Sequence, residues 1–168
     1  METTRNLEFI KDVANKKIVV IRHFDAPIDH VWRAWTEREL LDQWWAPKPW
    51  KAETKSIDFR TGGSWLYAMV GPDNKKEWCR ADFNSIDAPR NFSITEYFTD
   101  ENSKKNDELP TMNWNVDFQS ADETTKVTVS ITFDKVEDME TIVKMGFQEG
   151  FTAALGNLEE LLMETTSK

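Results

Sequence analysis

One cysteine, two histidines and no long apolar run set the first limits on this 168-residue chain. A single thiol, Cys79, cannot form an internal disulfide and fits a reducing compartment. His23 and His30 fall on a predicted strand and a predicted helix. No third nitrogen or sulfur ligand is spaced to join them, so no metal site is expected. Positive charge is scarce as well: 21 Lys and Arg against 30 Asp and Glu leave a formal charge of -9. That balance argues against nucleic-acid binding through the phosphate backbone, and against adsorption to anionic lipid surfaces. Basic runs such as Lys16-Lys17 and Lys104-Lys105 are diluted by neighbouring acids and read as solvated surface. No stretch approaches the roughly 18 apolar residues of a membrane span, and the N-terminus lacks a signal-peptide core. The expected location is the cytoplasm. A phosphate-cradling glycine loop is also missing, since Thr61-Gly62-Gly63-Ser64 reads as a hairpin turn. No cofactor is expected.

Tryptophan, by contrast, is abundant. Four of the eight indoles, Trp32, Trp35, Trp44 and Trp45, lie between Phe24 and Pro47. Pro27 suits a first helical turn, and Ile28, Val31, Trp32 and Trp35 follow at the spacing of one helical face. Thr36 and Glu39 have capping-box spacing, so a second helix is predicted to restart there, with Leu40, Leu41, Trp44 and Trp45 as its apolar side. Pro47 and Pro49 end it.

Ahead of this pair, Lys17–Phe24 is rich in β-branched residues and reads as a strand. Residues 1–16 are expected to form an edge segment or a loose tail. From Trp50 to Phe133 the apolar period becomes two. The predicted strands are Trp50–Phe59, Ser64–Val70, Glu77–Ile86, Phe92–Phe98, Met112–Gln119 and Thr124–Phe133, separated by Gly, Pro and Asp turns. The polar stretch Asp100–Pro110 reads as an exposed, mobile loop. From Asp138 to Glu164 helical spacing returns, with Phe147, Phe151, Leu155, Leu158 and Leu162 in one ridge. Taken as one rod at about 1.5 Å per residue, this helix would span roughly 40 Å.

A chain of this length suits one domain, residues 1–168. An antiparallel sheet with one wet face must bury the other, and only the last helix is large enough to cover it. The expected fold is α+β: a curved antiparallel sheet wrapped around a long C-terminal helix, with two short helices after the first strand. Curvature leaves a cavity between sheet and helix.

Several segments carry a family likeness: Ala26-Pro27 with Val31-Trp32 and Trp35-Thr36, the Trp44-Trp45-Ala46-Pro47 corner, and Asp58 to Trp65. Ile86 to Arg90 and Gly146 to Leu162 extend it. Together they resemble the START-like (SRPBCC, helix-grip) superfamily. More narrowly, they resemble the family related to the C-terminal domain of the activator of the heat-shock-protein-ninety ATPase. The resemblance spans residues 18–164. It implies a deep apolar cavity able to hold a lipid-like or aromatic molecule, and it does not imply one reaction.

Candidate lining residues are Trp65, Tyr67 and Met69 on one strand and Met112, Trp114, Val116 and Phe118 on another. Trp44, Trp45, Phe147 and Phe151 are placed to close the cavity. Against this stands the plain alternative that these side chains simply fill the core. Glu96 shares the inward parity of Phe92, Ile94 and Phe98, and a buried carboxyl needs a partner or a proton. Arg80 and Asp82, on the face of Trp78, are the expected polar company. Gly146 and Gly150, four apart, either admit a ligand or let helix and sheet pack closely; close packing is the favoured alternative. Cys79 reads as a small buried hydrophobe.

Three functions follow in order. First is binding of a small hydrophobic molecule without chemistry. Second is docking on a chaperone through an exposed Trp44-Trp45 corner and the acidic surface. This second reading is weakened because the chain lacks the extra N-terminal domain of eukaryotic activators. Third is a cyclase or dehydratase using Glu96 or Asp82 with Arg80. No residue pair demands catalysis.

Overall fold

The structure, a computed structural model, describes residues 7–166. Eight strands form one sheet: β1 (Leu7–Asp12), β2 (Lys17–Phe24), β3 (Lys51–Ile57), β4 (Ser64–Val70), β5 (Lys76–Asp87), β6 (Asn91–Thr99), β7 (Met112–Ala121) and β8 (Thr124–Thr132). The order across the sheet is β1-β2-β8-β7-β6-β5-β4-β3, and every pair is antiparallel. Two short helices, α1 (Ile28–Thr36) and α2 (Arg38–Trp44), sit between β2 and β3. Two more, α3 (Val136–Lys144) and α4 (Phe147–Thr166), follow β8. This is the helix-grip arrangement.

Period-two burial explains the sheet. Along β8, Val127, Val129 and Ile131 are buried while the residues between them are partly exposed. Along β7, Met112, Trp114, Val116 and Phe118 point inward. These residues share one core with Phe151, Leu155, Leu158 and Leu162 of α4 and with Trp32 and Trp35 of α1. The segment before Lys17 supplies the edge strand β1, paired with β2 from Leu7 to Asp12; residues 1–6 of the expected tail lie outside the described part.

Three expectations need correction. The C-terminal rod is two helices, because Gly146 has φ of +90°, the left-handed conformation that ends a helix. Its N–H donates to the Val143 carbonyl at 3.1 Å, and the chain restarts at Phe147. Gly146 therefore stands one turn ahead of Gly150 at the start of α4, its carbonyl accepting the Gly150 N–H at 2.9 Å. Second, Thr36 and Glu39 form no capping box: the Thr36 hydroxyl donates back to the Trp32 carbonyl at 2.9 Å. Glu37, in extended conformation, stands at the N-terminus of α2 without a side-chain cap. Third, the 100–110 loop is exposed yet tied. The Asp100 carboxylate accepts the backbone N–H groups of Asn102 (2.8 Å) and Lys104 (2.9 Å), and Thr99 bridges Lys105.

At the far edge, β3 is shielded by α2. Asp42 accepts both the backbone N–H (3.1 Å) and the hydroxyl (2.6 Å) of Thr54. Arg38 donates to the Thr54 carbonyl at 2.8 Å. The register of β3 on β4 slips between Thr54 and Ser56, leaving Lys55 as the extra residue of a bulge.

Candidate ligand-binding site

The inner face of β4–β7 does not press on the helices everywhere. A cavity of about 340 Å³ lies beneath the α3–α4 junction. Its walls come from six places. Trp45, Pro47 and Trp50 descend from the corner after α2, and Tyr67 and Met69 come from β4. Glu77 and Cys79 project from β5, Glu96 and Phe98 from β6, and Met112 and Trp114 from β7. Ile142, Met145, Gly146, Phe147, Gly150 and Phe151 form the helical side. The turn made by Gly146 matters here: it lifts the chain between α3 and α4, so Phe147 and Phe151 enter the cavity as a stacked pair with centroids 5.3 Å apart.

One polar contact sits inside this wall. Glu96, 3% exposed, accepts a short hydrogen bond from the Tyr67 hydroxyl on its Oε2. Burial pushes the Glu96 carboxyl up from 4.5 to about 7, while the Tyr67 hydrogen bond pulls the other way. Burial also pushes the Tyr67 hydroxyl well up, reinforced by Cys79 and Glu96. The Cys79 thiol is pushed up for the same reason, with the Glu96 charge second. Near neutral pH both therefore hold their protons, which makes Cys79 a poor nucleophile. The buried polar atoms of this wall without a partner are donors, the indole N–H groups of Trp45 and Trp114.

The structure brings Trp45, Tyr67, Met69, Glu96, Met112, Trp114, Phe147 and Phe151 to the cavity. It sets others behind it. Trp65 stacks on Tyr67 at 4.1 Å and donates to the Thr54 hydroxyl at 3.0 Å, backing the wall. Trp44 is fully buried against Trp35 and Trp45. Val116 and Phe118 lie deeper in the core, Phe118 against Trp32 and Trp35.

Trp78 and Arg80 are on the other side of the sheet. Strand β5 turns Cys79, Ala81 and Phe83 inward, so the alternate residues Trp78, Arg80 and Asp82 face out. There Lys55 and Lys76 approach the Trp78 ring (5.8 and 5.9 Å). Arg80 pairs with Asp82 at 2.8 Å, and Asp82 accepts from the Tyr97 hydroxyl at 2.8 Å. The polar patch expected beside Glu96 exists on the wrong face, and Tyr67 takes its place. The Trp44-Trp45 corner is likewise not an exposed knob, the two residues being 0% and 7% exposed.

Sequence reasoning overlooked Trp50 and Ile142 as wall residues, and also a buried charge. Arg22, 2% exposed, points from β2 toward α4 and pairs with Glu159 at 2.9 Å. The inward parity of Ile18, Val20 and Phe24 was the signal that marks it.

An α+β helix-grip fold with a hollow between sheet and helices defines a class of cavity-bearing domains. Within it, the chain belongs to the family described as activator of Hsp90 ATPase homolog 1-like protein, which matches residues 25–163. Solved structures agree. A protein of Arthrobacter aurescens is 30% identical, with a TM-score of 0.89 over 94% of this chain and 91% of that one. Protein Ms6760 of Mycobacterium smegmatis is 27% identical, with a TM-score of 0.86 over 92% and 95%. A Staphylococcus epidermidis protein is 29% identical, with a TM-score of 0.81 over 94% of both chains. No curated protein matches the chain. Among the described residues no helix is long and apolar enough to cross a membrane, and no cluster of His, Cys, Asp or Glu is arranged to hold a metal ion.

Proposed function

We propose that this protein binds a small hydrophobic molecule in the cavity between the sheet and the α3–α4 junction. The observation that carries the reading is a hollow of about 340 Å³ walled by aromatic and methionine side chains around a single buried carboxyl. The hollow opens to solvent on one side, so water fills it when no guest is bound, and an apolar wall with few polar groups favours a guest over that water. The test is a panel of lipid-like and aromatic compounds, read by melting temperature and indole fluorescence. Binders raise the first and quench the second through Trp45 and Trp114. A panel that moves neither refutes the reading. Native mass spectrometry of protein purified from cells then identifies the occupant.

A second reading, acid–base catalysis, draws on Glu96, whose carboxyl titrates close to neutrality. It ranks lower because Tyr67 and Cys79, the groups beside it, are both driven away from neutrality. Docking on a chaperone is compatible with the family. With Trp44 and Trp45 buried, that reading has no exposed aromatic corner to rest on.

A further inference from the structure

We propose that the occupant is an organic cation: an amphiphile whose ammonium head is met by Glu96 and the surrounding aromatic rings, and whose hydrocarbon body fills the rest of the cavity. This rests on the ligand-cavity reading and narrows it to one charge class.

The argument begins with the charges in the wall. The lining residues include two carboxylates, Glu96 inside and Glu77 at the exposed end of β5, and no Lys, Arg or His. An anionic head group would find the indole N–H groups of Trp45 and Trp114 but no positive charge, and it would be repelled by ionised Glu96. A cationic head meets the opposite situation. Oε2 of Glu96 is held by Tyr67, which orients the carboxyl. Once ionised, a carboxylate with this one neutral partner is stabilised by a further donor or a positive charge.

The rings beside it suit the same guest. Tyr67 lies 6.3 Å from Trp45, and Trp45 lies 5.7 Å from Trp114, measured between ring centroids. Trp114 in turn meets Phe147 at 6.0 Å and Phe151 at 5.5 Å. A carboxyl beside this chain of rings is a setting in which a quaternary or protonated amine gains both charge pairing and cation–π attraction. The overall charge of -9 also raises the local concentration of cations rather than anions.

The Glu96 charge brings a pH signature. The titratable groups facing it are Tyr67 from β4 and Cys79 from β5, both protonated near neutrality, with Glu77 further along β5. Strand β7 and the α3–α4 region present Met112, Trp114, Ile142, Met145, Phe147 and Phe151 to the cavity, besides Gly146 and Gly150, none of them titratable. Glu96 therefore controls the charge of the site. Affinity for a permanently charged cation rises as pH climbs through about 7, where Glu96 ionises.

Three probes with one chain length separate the possibilities: decyltrimethylammonium, 1-decanol and decanoate, each below its micelle concentration and titrated calorimetrically. At about pH 8 the ammonium probe binds one per chain and roughly tenfold more tightly than either other probe, a gap of about 1.4 kcal/mol. The gap shrinks at about pH 5.5. Glu96→Gln abolishes most of it while 1-decanol still binds. If decanoate or 1-decanol equals the ammonium probe at the higher pH, the cation proposal is wrong and the apolar cavity stands. So too if the ammonium probe binds many per chain, which marks surface adsorption. If none of the three binds, the cavity reading itself falls. Should Glu96→Gln fail to fold, the wild-type pH profile alone decides: a flat preference overturns the proposal.

Discussion

The indole N–H of Trp44 donates to the carbonyl of Ala34 at 2.8 Å, deep in the interior. Ala34 stands in the last turn of α1, where carbonyls run out of helical partners. Two of them are met in turn, Arg33 by the Glu37 N–H and Ala34 by Trp44, and the Thr36 hydroxyl adds a bond to the Trp32 carbonyl. One side chain of α2 thus finishes α1.

Trp44→Phe removes that donor and part of the ring, leaving a buried carbonyl unpaired, at a cost of about 2–4 kcal/mol. Trp35→Phe is the control, because the Trp35 N–H is buried without a partner. Its loss is smaller. Urea unfolding of both variants checks the order; equal losses would assign the effect to ring volume alone.

Glu96 makes stability pH-dependent with a defined sign. Below about 4.5 both folded and unfolded chains keep its proton. Between 4.5 and about 7 the unfolded chain has released it while the folded chain holds it, so stability falls as pH rises. The loss is complete above about 7 and amounts to about 3 kcal/mol. Glu96→Gln lacks this penalty, so its stability relative to wild type improves by about that amount between roughly pH 4.5 and pH 8. A pH-independent difference between the two proteins rules this out.

The glycines of the C-terminal region respond in opposite directions. Gly146, at φ of +90°, resists a Cβ, and Gly146→Ala costs about 1–2 kcal/mol. Gly156 is helical, and a Cβ there meets nothing within 4 Å, so Gly156→Ala stabilises by up to about 1 kcal/mol. Thermal unfolding of the two variants gives the signs. A stabilising Gly146→Ala would mean that α3 and α4 run on as one rod.

Arg22 and Glu159 pin β2 to α4. Arg22 also donates to the His23 carbonyl at 2.7 Å and lies 4.8 Å from the Phe24 ring centre. Glu159→Ala strands a buried guanidinium and costs about 2 kcal/mol, below the fully buried case because the Glu159 side chain is 26% exposed. Arg22→Met costs less, since it removes the charge together with its need for a partner. A double-mutant cycle tests the pairing; additive losses would show that the two do not interact.

Much of this arrangement is legible in the amino-acid pattern. Strand β4 runs from Ser64 to Val70 as predicted, and the inward parity of Phe92 and Ile94 places Glu96 inside. What escapes detection has physical causes. In β5 both parities look apolar: Trp78 competes with Cys79, Ala81 and Phe83, and only the covering helices decide which row is buried. The Tyr67–Glu96 contact crosses β5 diagonally, between the pairs Tyr67 with Cys79 and Ala81 with Glu96. No local spacing encodes such a relation. The break at Gly146 was readable, because Lys144 followed by Gly146 is a helix-stop signature. The continuous ridge from Phe147 to Leu162 masked it.

An open sheet exposes two borders to any neighbour with a strand to offer, and unguarded borders seed aggregation. At β3 the midpoint is already engaged, since both main-chain groups of Thr54 are taken by Asp42 and Arg38, and the bulge at Lys55 breaks the spacing beyond it. The same short helix whose C-terminal corner walls the hollow thus keeps a second molecule from extending the sheet on that side.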